Sequence, residues 1–284
     1  MKVSIKDVKS EKWYATLKQI GFDGLDLRFP TWDRREEIVS DEFEARMKER
    51  YQTIREAGLA VSQVHLTYYP GHLPPLGDGG YGDFAAYMLP IFIKEIEVTA
   101  KMDCRNAVIH LYFDADREIS REGNLQLIAS LLPTLEANDV VLSIENIYGP
   151  KAGEAYLSTA DDLLYYIDHF KSPYLGVCLD TGHAITRGQD PVKMLEKLGS
   201  TVTALHLHAN VQGRDMHLPP MLLANVDWQK FYETLTRVGY GGTFNMEITP
   251  PKQMNREAAL SYYRMALSVA RGLIRGDATS WMEE

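Results

Sequence analysis

Short β-branched and aliphatic runs alternate with longer amphipathic stretches from one end of the chain to the other. The short runs fall at 3–5, 24–29, 60–66, 106–112, 140–147, 175–180, 202–208 and 243–248. Helical patterns separate them at 11–20, 33–57, 84–102, 122–137, 159–170, 191–198, 227–238 and 256–275. Such alternation predicts a mainly parallel sheet with helical crossovers, and eight strands favour closure into a barrel over an open sheet. The expected fold is therefore an α/β (β/α)8 TIM barrel. Turn signals at Tyr69-Pro70-Gly71, Pro74-Pro75 and Gly79-Gly80 follow a strand, and no linker or low-complexity segment divides the chain. A length of 284 residues suits one barrel, so a single domain over 1–284 is expected.

Parity within the strands sharpens this expectation, because neighbouring side chains point to opposite faces. Leu142 and Ile144 oppose Ser143 and Glu145; Val177 and Leu179 oppose Cys178 and Asp180. Leu205 and Leu207 oppose Ala204, His206 and His208, and Phe244 and Met246 oppose Asn245 and Glu247. The large apolar residues take the parity that faces an outer helical layer. The carboxylates and histidines take the other, toward the barrel axis.

Barrel enzymes carry their chemistry at the C-terminal ends of the strands. Of eight histidines, His65 ends the third strand, His110 lies in the fourth, His183 follows the sixth, His206 and His208 end the seventh, and His217 lies in the loop beyond. His72, in a Pro/Gly loop, and His169, at a helix end, keep a structural reading. Glu145, Asp180, Asp215 and Glu247 join the inward group, where like charges would repel unless a cation neutralised them. Mixed imidazole and carboxylate donors suit Zn2+, Mn2+ or Fe2+ better than Ca2+, and Zn2+ or Mn2+ is the expected cofactor. Taken singly, a strand histidine is usually a hydrogen-bonded core residue, and an inward carboxylate could pair with Arg28 or Lys101. Convergence on several strand ends favours a metal site. Asp26 and Arg28 read as a pair with each other, and His208 and Arg214 as substrate contacts.

Hydrophobic residues make up 45% and charged residues 24%, enough apolar surface for a large core and no sign of disorder. A net charge of −9 argues against a large basic surface for nucleic acid and favours small-molecule partners. Cys104 and Cys178 sit in or beside apolar runs and read as reduced, buried thiols. The first residues enter a strand pattern without an apolar leader, and no stretch is long enough to span a membrane, so the expected location is cytoplasmic. A homo-oligomer is compatible with these features.

The segments Gly-Phe-Asp-Gly-Leu-Asp-Leu (21–27), Val-Cys-Leu-Asp-Thr-Gly-His (177–183), His-Leu-His-Ala-Asn (206–210), Arg-Asp-Met-His-Leu-Pro-Pro (214–220) and Asn-Val-Asp-Trp (225–228) resemble the xylose-isomerase-like TIM-barrel superfamily. It includes sugar isomerases, sugar epimerases and endonuclease IV-type enzymes, and the resemblance covers essentially the whole chain. By that resemblance Glu145, Asp180, His206 and Glu247 match the metal set of the ketose 3-epimerases, whose glutamates also move protons. His65, His110, His183, Asp215 and His217 match the further ligands of the three-zinc endonucleases. His208 departs from a frequent acidic residue, and Leu222-Leu223-Ala224 from a glycine-rich turn, which bears on substrate more than on metal.

Three functions follow. The first is a sugar or sugar-phosphate isomerase or epimerase working through an enediolate, with Glu145 and Glu247 as base and acid and His183 holding a substrate hydroxyl. The second is multi-metal phosphodiester hydrolysis, with Glu145 bridging two ions; only scattered residues such as Arg34, Arg35, Tyr68, Tyr69 and Arg214 would serve DNA. The third is a metal-holding binding protein. The acidic balance selects the first, with a carbohydrate as substrate.

Overall fold

Eight parallel strands pair side by side in a computed structural model that describes residues 1–8, 10–29, 35–68, 80–114, 116–147, 156–223 and 225–276. In chain order they are β1 (Val3–Lys6), β2 (Gly24–Arg28), β3 (Ala60–His65), β4 (Asn106–Ile109), β5 (Val141–Glu145), β6 (Leu175–Asp180), β7 (Val202–His206) and, after a hairpin, β10 (Phe244–Met246). The order around the sheet is β10-β1-β2-β3-β4-β5-β6-β7. Backbone bonds close it: the Leu207 N–H donates to the Asn245 carbonyl at 2.9 Å, and the Glu247 N–H donates to the Leu207 carbonyl at 3.1 Å. The expected (β/α)8 barrel is the fold observed. Arg34, Tyr69, His72 and Ala224 lie outside the described residues, as does the Arg35 side chain.

The helices are α1 (Tyr14–Ile20), α2 (Arg35–Ile38), α3 (Asp41–Glu56), α4 (Tyr81–Lys101), α5 (Arg117–Asn138), α6 (Ala160–Phe170), α7 (Thr181–Thr186), α8 (Pro191–Leu198), α9 (Trp228–Arg237) and α10 (Arg256–Arg275). The helix expected at 33–57 is two, because extended Ser40 caps a new start by accepting from the Phe43 N–H. A helix and a hairpin escaped the periodicity. Helix α7 is short and buried along its whole length, so it shows no amphipathic stripe. Strands β8 (Ala209–Val211) and β9 (Arg214–Leu218) form an antiparallel hairpin whose turn needs left-handed Gly213. Among the described residues no helix is long and apolar enough to cross a membrane.

Parity sorts the core into two. Val3, Ile5, Leu25, Leu27, Leu142, Ile144, Val177, Leu179, Leu205, Leu207, Phe244 and Met246 are fully buried in the main apolar cluster, with helix residues such as Leu17, Phe43, Ile91, Leu131 and Phe231. Each aliphatic side chain so buried contributes roughly 1.5–3 kcal/mol. Val108, Cys178 and Ala204 form a separate small cluster on the opposite parity, inside the barrel. The barrel interior is otherwise polar and tied together. Ser143 Oγ donates to Asn106 at 2.6 Å, Ser4 Oγ to Asn245 at 2.9 Å, and Asn245 Nδ2 to Asp26 at 3.0 Å. Both cysteines are free and buried, as expected.

Beneath the segment that follows β3, buried Glu95 of α4 accepts from the Thr67 N–H (2.9 Å) and hydroxyl (2.6 Å). Burial outweighs those bonds and pushes its carboxyl up to about 8 from 4.5. The folded protein thus keeps a proton that the unfolded chain loses above about pH 4.5, so this group erodes stability as pH rises toward 8. Glu95→Gln is expected to gain stability relative to wild type between pH 5 and 8.5, on the order of a few kcal/mol. Denaturant midpoints at the two pH values check this; a constant difference would refute it.

Candidate metal centre

Parity carries the last inward side chain of each strand into the barrel mouth. From β1 onward these are Lys6, Arg28, His65, His110, Glu145, Asp180, His206 and Glu247. His110 and Glu247 stand one residue beyond their strands, and β7 stops at His206, so His208 belongs to the link toward β8. Strand pairing sets Asp180 beside His206 and Glu145 beside Cys178.

Four of these donors meet at one point. His206 Nδ1 lies 3.0 Å from Glu145 Oε1, 3.2 Å from Glu247 Oε2 and 3.8 Å from Asp180 Oδ2. One atom from each of the four lies within 4.8 Å of all the others, and no side chain among them is more than 2% exposed. Three buried carboxylates so close repel unless a cation sits among them, and the oxygen and nitrogen donors fit a divalent ion such as Zn2+ or Mn2+. The far nitrogen of the His206 ring, Nε2, lies 3.1 Å from Asp26 Oδ2, an arrangement that holds Nδ1 toward the centre. That corrects the pairing expected of Asp26 with Arg28. Arg28 instead pairs with Glu247, together with Lys6 at 2.9 Å, while Lys101 is engaged by Glu44.

Glu145 turns its other oxygen to two imidazoles, His65 Nε2 at 3.2 Å and His110 Nε2 at 2.9 Å. The Leu66 carbonyl, 2.8 Å from His65 Nδ1, can only accept, so Nδ1 carries the proton and Nε2 presents a lone pair to Glu145. Burial lowers the pKa of His65 and keeps it neutral. Facing lone pairs are satisfied by a shared cation, so this group also has the character of a ligand set.

A third group lies behind Asp180. The first turn of α7 brings the His183 N–H to Asp180 Oδ1 (2.6 Å), and His183 Nδ1 donates to the Asn146 carbonyl (2.9 Å). The hairpin carries Asp215 and His217, whose Nε2 is 3.1 Å from Asp215 Oδ2. His208, fully buried, stacks on His217 with ring centres 4.3 Å apart and sets Nε2 3.0 Å from Asp180 Oδ1. Only glycine fits at 182, where a Cβ would fall 1.9 Å from His208 Cε1. Arg214 is exposed on the hairpin, and His169 packs on Phe170 in α6, outside this group.

A sequence model of the xylose isomerase-like TIM barrel family matches residues 14–265. The chain belongs to that family. It is 24% identical over 239 residues to the uncharacterized protein y4fM of Sinorhizobium fredii, covering 76% of this chain and 75% of that one. A probable endonuclease 4 of Mesomycoplasma hyopneumoniae is 28% identical over 130 residues, 45% of this chain and 43% of its own. Among solved structures, a D-tagatose 3-epimerase-like protein superposes with a TM-score of 0.76 at 18% identity, over 98% of both chains, a likeness of fold.

Histidines and basic side chains around the mouth favour the ionised form of its two glutamates. Burial pushes Glu145 up, but the charges of His206 and His110 and hydrogen bonds from His110 and His183 outweigh it and leave the group well below the usual range. Burial likewise pushes Glu247 up, and His206, Arg28 and Lys6 overcome it. His183 is lowered by burial but raised more by Asp180 and Glu145, to about 10. Sequence reasoning missed Asn146, which accepts from the Asp180 N–H at 2.7 Å, and Lys6, one residue beyond the expected first run, whose parity with Ser4 was the available signal.

Proposed function

We propose that the chain is a divalent-metal-dependent isomerase or epimerase that acts on a sugar or sugar phosphate through an enediolate. The observation that carries this reading is the placement of two buried glutamates. Along β5-β6-β7-β10, Glu145 and Glu247 are the outer pair, flanking Asp180 and His206. A divalent cation held by these four residues would polarise a substrate carbonyl and its neighbouring hydroxyl, lowering the pKa of the α-proton. One glutamate, ionised at neutral pH, takes up that proton; the second, ionised at the outset, first takes a proton from solvent, delivers it to the opposite face and so inverts the centre, and the first releases its proton to solvent. His183, fixed through Nδ1 on the Asn146 carbonyl, holds a substrate hydroxyl. The fold shared with the D-tagatose 3-epimerase-like protein and the acidic net charge support the reading.

A second reading, phosphodiester hydrolysis by several metals, is favoured by one specific observation: Glu145 Oε2 faces both His65 and His110. The deciding experiment measures bound metal, exchange of ketose and ketose-phosphate α-protons with solvent deuterium, and cleavage of an abasic-site duplex. One tight ion per chain and measurable exchange are expected, and His110→Ala should lower that exchange by less than about tenfold, since His110 does not handle the α-proton. Two or more tight ions with abasic-site cleavage lost in His110→Ala would establish the hydrolase instead.

A further inference from the structure

Six barrel strands end inward on an imidazole or a carboxylate; the adjacent β1 and β2 end on Lys6 and Arg28. Both cations converge on a single oxygen, Glu247 Oε1, while Glu247 Oε2 faces His206 at the four-donor centre. Two positive charges therefore share one carboxylate. Neighbouring carboxylates make their close contacts elsewhere, although Asp26 and Glu145 still act on Arg28 through their charges: Asp26 Oδ2 serves His206 and Asn245, and Asp7 pairs with Arg50 and accepts from Tyr14 at 3.2 Å.

Donor capacity is left over as well. Lys6 Nζ has three hydrogens and makes one bond among the described residues. Arg28 spends Nη2 on Glu247, and its Nε is buried without a partner among the described residues. These two side chains also open to the mouth: Lys6 is 16% and Arg28 31% exposed, against 2% for Glu247 beneath them. A lone hydroxyl would take up little of this spare donor capacity, whereas a planar guanidinium beside an ammonium matches the several acceptor oxygens of a carboxylate or phosphate.

We propose that Lys6 and Arg28 form a subsite for an anionic group of the substrate, so that the carbohydrate handled here carries a carboxylate or a phosphate. This deepens, and rests on, the isomerase reading of the same centre. The subsite lies on the Glu247 side of the four-donor centre and orients the reacting carbons by fixing the charged end.

The test uses the full, metal-replete chain and matched probes: D-fructose against D-fructose 6-phosphate, and D-fructose against D-fructuronate. Calorimetric binding and deuterium exchange are measured for wild type, Lys6→Gln and Arg28→Gln; each variant leaves Glu247 one cationic partner. The expected result is a preference of about tenfold or more for at least one anionic probe, reduced to about twofold or less by Arg28→Gln and reduced also by Lys6→Gln. A preference confined to the phosphate arm assigns a sugar phosphate, and one confined to the carboxylate arm a sugar acid. Neutral ketose handled as well as its anionic partners, or a preference unchanged in both variants, overturns the subsite while leaving the isomerase reading intact. Arg28-dependent anion binding without exchange of any probe keeps the subsite and overturns the isomerase reading.

Discussion

Glu145→Gln protein is expected to bind Zn2+ and Mn2+ on the order of tenfold or more weakly than wild type. Glu145 meets imidazoles through both oxygens, with Oε1 toward His206 and Oε2 toward His65 and His110. An amide there removes a ligand charge from the four-donor centre. Asp180→Asn should behave alike, since Asp180 serves the same centre and also receives the His183 N–H. His169→Ala, far from the cluster beside Phe170, should leave affinity unchanged. Because a bound ion stabilises only the folded state, a tenfold weaker site forfeits about 1.4 kcal/mol of the stabilisation that saturating metal confers. Metal titration with thermal unfolding checks both parts; equal affinity in all three variants would remove Glu145 and Asp180 from the centre.

Glu247→Gln should abolish exchange of the substrate α-proton, a loss of about 10²–10⁴-fold, because an amide cannot accept that proton. The same change frees Lys6 and Arg28 from their shared partner. Metal content must be measured alongside. A variant that keeps its ion and loses exchange identifies Glu247 as the proton-moving group, and a metal-replete variant with wild-type exchange rates excludes it.

Local signals made some boundaries legible. The expected helices at 191–198 and 256–275 coincide with α8 and α10. Asp190 caps the first by accepting from the Val192 N–H; Asn255 caps the second, which stops at left-handed Gly276. Strand parity was equally local, and it placed Glu145, Asp180, His206 and Glu247 on the barrel side. Helix α7 and the β8–β9 hairpin were not legible. The first is capped by the Asp180 carboxylate, itself a candidate ligand, and the second packs on α7 through bonds such as Asn210 Nδ2 to the Thr186 hydroxyl at 3.1 Å.

The amino-acid sequence by itself determined the alternation of elements, the side of each strand that would meet helices, and the residue types available at the mouth. Tertiary structure alone decided which of those residues touch. Lys6 and Arg28 reach Glu247 across 241 and 219 residues of chain, and Asp26 reaches His206, because closure of β10 onto β1 and β7 makes neighbours of the chain's two ends. Parity states only that a side chain points inward; register and closure fix its partner, and with it whether Arg28 meets Asp26 or Glu247.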